Sequence, residues 1–546
     1  MKNRKQNYPL YQIKEVANLK DIILFDDSRN NKKTAFIYKK NRKETVNISY
    51  AQFTSDVDAF GTYMFENGLR KCKIAVMGEN SYEWILTYFS TVCGNNIIVP
   101  VDKELPVSEM ADMIAETECS LLVYSETYSE EAEKITKSFP SLKLLKMNDI
   151  SNVIEEGKKL LTDGKNDFIN YKVNDDDVAA IVYTSGTTGN SKGVMLTHKN
   201  IATNSMACCK NVYAEGSTIC ILPMHHTFSF TLGICAIILY RQPIFISKSI
   251  RNISDDFKQA KPSYLFLVPL IIESMYKKIW ISAEEQGKTK LLKTMIKLSN
   301  ALLKVNIDLR KILFKSVLEA FGGNLEWVSC GGAAIDINII KGFRNFGVNI
   351  INGYGITECS PIVSSNRPEY WVDGSVGVPV YNCEIRIDNP DKNGIGEILL
   401  KGSSVMKGYY KDEEATRLAF RDGWFCTGDM GKYEDGVLYI TGRKKNLIIL
   451  KNGKNISPEK IESELKIAIP EIKEVIVYGE NDLITAEIFP NFETDSVTNI
   501  IDEKIRMYNI EQPIYRQIST IRYRETEFEK TTTKKIKRTY KEQQND

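Results

Sequence analysis

No two of the eleven cysteines form a Cys-x-x-Cys pair, and several, such as Cys220, Cys235 and Cys330, sit inside apolar runs. That excludes a disulfide framework or a zinc site as the organising chemistry and predicts reduced, buried thiols in a cytoplasmic compartment. Neither sign of charge is in excess: 72 Lys and Arg stand against 70 Asp and Glu, a formal net charge of +2. A nucleic-acid partner is not expected, because its footprint needs a basic stripe and the only dense basic run is the short tail at Lys534–Arg538. The longest apolar run, Phe228 to Tyr240, falls short of the roughly 20 residues that a bilayer span requires. No apolar core follows the basic start Met1-Lys2-Asn3-Arg4-Lys5, so no signal peptide is expected. Peripheral contact with a membrane stays open.

What is present is the composition of a large globular enzyme, with 43% hydrophobic and 26% charged residues over 546 positions, too many for one core. Apolar runs at Lys73–Met77, Asn96–Val99 and Leu121–Tyr124 read as strands, and the patterns at Tyr82–Cys93 and Pro106–Ala115 as helices between them. This alternation predicts an α/β fold with a mostly parallel sheet covered by helices. Asp149 to Asp177 is polar and acidic and predicts a surface excursion at a subdomain seam. Tyr264–Val268 reads as a strand, and Lys288 to Leu318 as long amphipathic helices that speak for fold rather than chemistry. Runs at Gly396–Lys401 and Val437–Ile440 predict a β-rich subdomain, and the elements from Pro458 to Met507 a compact α+β unit.

The most demanding stretch is Tyr183-Thr184-Ser185-Gly186-Thr187-Thr188-Gly189-Asn190-Ser191-Lys192-Gly193. Its glycines allow positive φ and close approach of backbone N–H groups to a ligand, while the hydroxyls and Lys192 add donors and charge. Such a loop, placed after the strand-like run Val178–Val182, suits a polyphosphate. It is not a Walker A loop, since it has no glycine followed directly by Lys-Ser or Lys-Thr. It resembles the phosphate loop of the adenylate-forming superfamily, which includes acyl-CoA synthetases, luciferases and the adenylation domains of peptide synthetases. It departs from that pattern only at Ser191, where the family has proline.

Further motifs follow in the family's order. Ile351-Asn352-Gly353-Tyr354-Gly355-Ile356-Thr357-Glu358 sets an aromatic ring, a hydroxyl and a carboxylate at a strand end, groups that ATP and Mg²⁺ can use. It resembles the family's Tyr-Gly-x-Thr-Glu, which implies Tyr354 on adenine, Thr357 at the α-phosphate and Glu358 on Mg²⁺, with Asn352 and Gly355 beside the nucleotide. Ser329-Cys330-Gly331-Gly332-Ala333 resembles the family segment that borders the adenine and acyl pockets, here with Cys330 inserted before Gly331. In Leu222-Pro223-Met224-His225-His226, the resemblance implies that His226 serves the acyl pocket, against the alternative of a structural histidine; His198 reads as a helix-start residue.

Trp424-Phe425-Cys426-Thr427-Gly428-Asp429 resembles the family's Trp-x-x-Thr-Gly-Asp and implies that Asp429 binds the ribose hydroxyls. Gly442-Arg443-Lys444-Lys445 resembles the hinge, with Arg443 on ribose or phosphate and Lys445 as the pivot. The implied division is a large N-terminal AMP-binding domain, residues 1–442, and a small mobile α+β domain, residues 443–546. The tail at 528–538 resembles the family's catalytic-lysine motif and assigns that role to Lys535, with Glu529 where the family has proline and Lys534 where it has glycine.

The resemblance therefore implies an ATP- and Mg²⁺-dependent ligase that adenylates a carboxylic acid and passes the acyl group to CoA, nearest in pattern to the long-chain fatty acid branch. A stand-alone enzyme loading an acyl or amino acid onto an acyl carrier protein is the alternative. An inactive nucleotide-binding scaffold would have no use for Lys535. The run Phe228–Tyr240 fits an acyl-tunnel wall and a buried core helix equally.

Overall fold

The strand expected before the glycine-rich loop forms as Val178–Thr184 and lies third in a seven-stranded sheet. The computed structural model describes residues 10–41, 44–184, 191–450, 455–481, 483–492, 496–530 and 536–538. Two units are distinguished: one built from described residues up to Thr184, from Ser191–Glu384 and from Lys401–Leu418, the other from Ile385–Leu400 and from Ala419 onward.

In the first unit, the strands Val178–Thr184, Ile97–Pro100, Lys73–Met77, Leu121–Tyr124 and Lys143–Lys146 run parallel in that order. Lys192–Thr197 and then Gly408–Tyr409 add antiparallel strands at one edge. Helices cover the parallel part because their apolar residues recur at helical spacing: Met110, Met113, Ile114 and Thr117 are the buried side of Val107–Thr117. Met110 and Ile114 share a core with Ala75, Val99, Leu122 and Ile181, each large side chain contributing about 1.5–3 kcal/mol by leaving water. Ser81 starts the helix Tyr82–Val92 by accepting from the Trp84 N–H. Thr197 and Asn200 form a reciprocal cap on His198–Asn211.

A second sheet orders Tyr264–Leu267, Trp327–Cys330 and Asn349–Gly355 in parallel, followed by antiparallel Ile362–Ser365 and Val378–Pro379. A third pairs Thr45–Ser49, Thr34–Lys39, Ile244–Ile246 and Thr218–Cys220.

Three expectations need correction. Residues 149–177 are not a surface excursion: Ile150–Thr162 is a helix that buries Ile150, Val153, Ile154 and Gly157. A Cβ at Gly157 would lie 2.0 Å from the Ala59 carbonyl oxygen, so the glycine lets this helix meet Tyr50–Glu66 backbone to backbone. The apolar run after the histidines is π-helical over Phe228–Ala236 and α-helical only over Ile237–Tyr240. The stretch 288–318 breaks into Thr289–Leu303, Arg310–Leu313 and Lys315–Glu319. Among the described residues, no helix is long and apolar enough to cross a membrane. All eleven cysteines are free thiols, most of them buried.

The second unit holds the expected β-rich part, a five-stranded sheet of Cys383–Asp388, Gly396–Gly402, Trp424–Glu434, Phe420–Arg421 and Val437–Arg443. The expected α+β part follows as Ile472–Glu480, Leu483–Pro490 and Ile518–Tyr523 with the helices Pro458–Ala468 and Val497–Ile510. Ile484, Ala486 and Ile488 alternate toward its core and meet Ile461, Leu465, Ile501 and Ile505.

Candidate active site

Parallel strands that end together leave their carboxyl ends open to a ligand, and the predicted residues of the first unit gather there. Thr184 closes its strand opposite Lys192 in the antiparallel register. Ser185, Gly186, Thr187, Thr188 and Gly189 lie outside the described residues. The Lys192 Nζ sits 4.9 Å from the centre of the Tyr409 ring. Tyr409 reaches that position because Gly408 and Tyr409 pair with Met195 and Val194, and the Tyr410 N–H donates to the Gly193 carbonyl at 2.7 Å.

The Tyr409 hydroxyl donates to Glu358 Oε1 at 3.1 Å, and the Glu358 carbonyl accepts from the Met406 N–H at 2.7 Å. Burial, and then the Glu358 carboxylate, push the Tyr409 phenol well up, so it acts as a neutral donor. Lys192, Tyr409 and Glu358 are thus one assembly. Sequence reading missed Tyr409; the Gly-Tyr-Tyr at 408–410 was the only trace of it.

Asn352, Tyr354, Gly355, Thr357 and Glu358 occupy the end of Asn349–Gly355 and the 3₁₀ turn Thr357–Cys359, a half-buried polar run between buried flanks. The turn is tight: the Ile356 N–H donates to the Pro361 carbonyl at 2.9 Å, and a Cβ at 355 would lie 2.3 Å from that oxygen. Asn352 is held by donating to the Ser375 carbonyl at 3.3 Å, and its own carbonyl accepts from the Asn366 N–H at 3.0 Å.

Gly331 follows the neighbouring strand Trp327–Cys330, whose Cys330 is in register with Asn352. A Cβ there would meet the Phe228 ring at 3.3 Å, so the glycine brings the histidine segment against the strand ends. His226 packs its ring 4.0 Å from that of His225. It is His225 that lines a small cavity with Pro100, Val182, Met224 and Phe230, its Nε2 lying 3.5 Å from Asp102 Oδ2. His198 is buried at the start of its helix, and burial lowers it to about 4, consistent with a structural residue.

In the second unit, Asp429 is opposite Arg443 in the antiparallel register and only 4% exposed. The Arg443 Nε lies 2.9 Å from Asp429 Oδ1, and the Asp429 N–H donates to Thr427 Oγ1 at 2.9 Å. Glu397, also buried, accepts from the Gly428 N–H at 3.2 Å and pairs with Lys444 at 2.7 Å. Lys445 lies next to that pair in the 3₁₀ turn Lys444–Asn446. Desolvation, and then the Arg443 guanidinium, hold its ammonium below the usual range.

Lys535 lies outside the described residues, but the chain on both sides of it is anchored. Lys530 forms an antiparallel bridge with Ile536, and the Lys537 N–H donates to the Glu529 carbonyl at 2.7 Å. Buried Glu474 accepts from the Phe528 N–H at 2.9 Å and pairs with Lys530, while Arg538 pairs with Glu462. Glu462 also accepts from the Val477 N–H at 2.7 Å. Residues 528–530 and 536–538 are therefore part of the folded unit.

Residues 26–410 match the family model described as AMP-binding enzyme. The chain belongs to that family, the adenylate-forming ligases, which use ATP. It is 28% identical to a chloroplastic long-chain-fatty-acid–[acyl-carrier-protein] ligase, AEE15, of Arabidopsis thaliana, over 82% of this chain and 73% of that one. It is 29% identical to long-chain-fatty-acid–CoA ligase 5 of Rattus norvegicus, over 81% of this chain and 71% of that one. The fold matches that of ATP-bound MatB from Rhodopseudomonas palustris with a TM-score of 0.76 at 22% identity, covering 95% of this chain and 97% of that one.

Proposed function

We propose that this protein is an ATP-dependent acid–thiol ligase that activates a fatty acid as its acyl-adenylate and transfers the acyl group to CoA. The observation that carries the reading is the Lys192–Tyr409–Glu358 assembly at the end of the phosphate-loop strand. It sets a cation and a carboxylate on one tyrosine, and among the described residues the two form no ion pair. The names of the relatives, fatty-acid ligases of both acceptor types, support the acid class.

In the first half-reaction, a carboxylate oxygen of the acid attacks the α-phosphorus of ATP, and the bond to the bridging oxygen of pyrophosphate breaks. Both partners are anionic, so the barrier is lowered mainly by alignment and charge neutralisation. In our assignment Lys192 and the loop Thr184, Ser185, Gly186, Thr187, Thr188 and Gly189 hold the phosphates, and Thr357 donates at the α-phosphate. Tyr354 stacks on adenine beside Gly331, Asn352 and Gly355, and Asp429 and Arg443 take the ribose. Lys535 supplies positive charge as the pentavalent phosphorus forms.

The donor set fits Mg²⁺, because a single carboxylate such as Glu358 together with ATP phosphates is the usual Mg²⁺ environment. When bound, the ion neutralises phosphate charge; Tyr409 orients the carboxylate that would hold it. In the second half-reaction the thiol sulfur attacks the acyl carbon, its proton is released, and AMP departs. We assign His226 to the acyl pocket, Lys445 to the pivot between half-reactions, and the domain boundary to 442/443.

The test is pyrophosphate release from ATP and Mg²⁺ across short, medium and long fatty acids, aryl acids and amino acids. Each is assayed alone, with CoA, and with a holo acyl carrier protein. Long-chain acids releasing pyrophosphate, with thioester and AMP on adding CoA, is the expected result. Thioester on the carrier protein alone assigns the other acceptor, the reading favoured by the similarity to the Arabidopsis ligase. No release with any acid overturns the enzymatic reading.

A further inference from the structure

One surface stretch has a seven-residue period that the proposed reaction does not use. A lysine followed by an aliphatic side chain occurs at Lys290–Leu291, Lys297–Leu298 and Lys304–Val305, and once more at Lys311–Ile312. The helix Thr289–Leu303 carries the first two pairs, and Lys304 prolongs it with right-handed backbone angles. Lys311 and Ile312 lie on the short helix Arg310–Leu313. Seven residues are close to two helical turns, so successive pairs on the long helix share one face. It is not the packed face: Leu292, Met295 and Ile296 turn toward Phe314 and Phe346. Leu291 is 56% exposed, Leu298 52%, Val305 64% and Ile312 72%.

Charge along the stretch is one-sided although the whole chain is near balance. Residues 288–315 include eight Lys and Arg and a single acidic residue, Asp308, whose carboxylate pairs with Arg310 at 2.6 Å. Lys311 pairs with Glu326 at 3.0 Å and Lys315 lies 3.7 Å from Glu319. Among the described residues, Lys290, Lys293, Lys297 and Lys304 form no ion pair, so their charge is available to an outside anion.

We propose that this face is a docking surface for an anionic lipid bilayer. The apolar side chains enter the boundary between headgroups and acyl chains, the lysine stems lie along it, and the ammonium groups reach lipid phosphates. A protein partner fits less well, because the buried centres of protein interfaces are depleted in lysine, whereas here every exposed apolar residue of the repeat adjoins one. The stripe follows about 22 Å of helix, a plane's footprint rather than a groove. Nothing in this proposal depends on which acid or acceptor the enzyme uses.

Flotation of the full-length protein with vesicles tests it. Vesicles of phosphatidylcholine containing phosphatidylglycerol are expected to carry the protein at low salt and release it as salt rises, and pure phosphatidylcholine to carry little. At about fivefold per lysine, the double substitution Lys293→Gln and Lys297→Gln lowers the partition coefficient by more than tenfold. Leu291→Ser with Leu298→Ser lowers it as well. In both variants pyrophosphate release with a water-soluble acid stays at the parental level. Equal binding to neutral vesicles, or unchanged binding by both variants, overturns the proposal. So does loss of binding to a purified acidic acyl carrier protein with vesicle binding intact, which makes the face a protein-docking surface.

Discussion

Tyr409 donates its hydroxyl hydrogen to Glu358 at 3.1 Å, and the same ring carries the Lys192 ammonium on its face. One side chain thus meets the lysine through its ring and the glutamate through its hydroxyl. Among the described residues neither forms an ion pair, which suits a ligand of opposite charge at each.

Tyr409→Phe keeps the ring beneath Lys192 and removes the hydrogen bond to a charged acceptor. A loss of about tenfold to a hundredfold in kcat/KM for acid-dependent pyrophosphate release is expected, with little change in the denaturant midpoint. Unchanged kcat/KM would remove Tyr409 from the site.

Lys535→Ala is expected to abolish adenylation while thioester formation from supplied acyl-adenylate continues. Glu474→Gln tests the anchoring of the tail. It weakens the hold on Lys530 and the Phe528 N–H, so it should reduce adenylation several-fold and spare the thioester step. Equal loss of both half-reactions in either variant counts against a role confined to the first.

Gly355→Ala places a methyl group 2.3 Å from the Pro361 carbonyl oxygen, which belongs to the backbone and has little room to yield. A destabilisation of about 1–3 kcal/mol is expected, read from chemical denaturation. Nucleotide affinity should fall as well, because the turn that carries Thr357 and Glu358 must open. An unchanged midpoint would show that the close approach is not maintained in solution.

His198 gives a pH dependence with a definite sign. Burial lowers it to about 4 in the folded chain, against an ordinary value near 6.5. Between those values the unfolded chain binds the proton and the folded chain does not, so stability falls on acidification through that window. The full shift corresponds to about 3 kcal/mol. His198→Gln should flatten the slope of unfolding free energy between pH 6.5 and 4 relative to the parent; an identical slope would contradict the assignment.

Much of this was legible in the sequence because some residues answer a narrow chemical demand. The strand Val178–Thr184 and the Tyr354 to Glu358 turn are written in consecutive residues, and so are Asp429 and Arg443 at the ends of two short motifs, whereas the glycine-rich loop between the strands lies outside the described residues. Tyr409 and Glu397 were not legible. Tyr409 gains its meaning only when Gly408 pairs with Met195, more than two hundred positions away, and Glu397 only when Gly428 and Lys444 converge on it. The helix Ile150–Thr162 was misread because charged residues surround its apolar face and its closest contact is a glycine. The π-helical turn of Phe228–Ala236 left no trace because a segment buried on nearly every side carries no amphipathic period.

Glu397 joins two places that the proposed mechanism uses at different times. One carboxylate oxygen holds the backbone N–H just before Asp429, and the other holds Lys444, the residue before the assigned pivot. With those roles, torsion at Lys445 loads or relieves a lever whose other arm reaches the ribose-binding carboxylate. The grip on AMP and the turn that precedes its departure are then thermodynamically linked. Tighter nucleotide binding and a displaced reorientation equilibrium become two readings of one free energy.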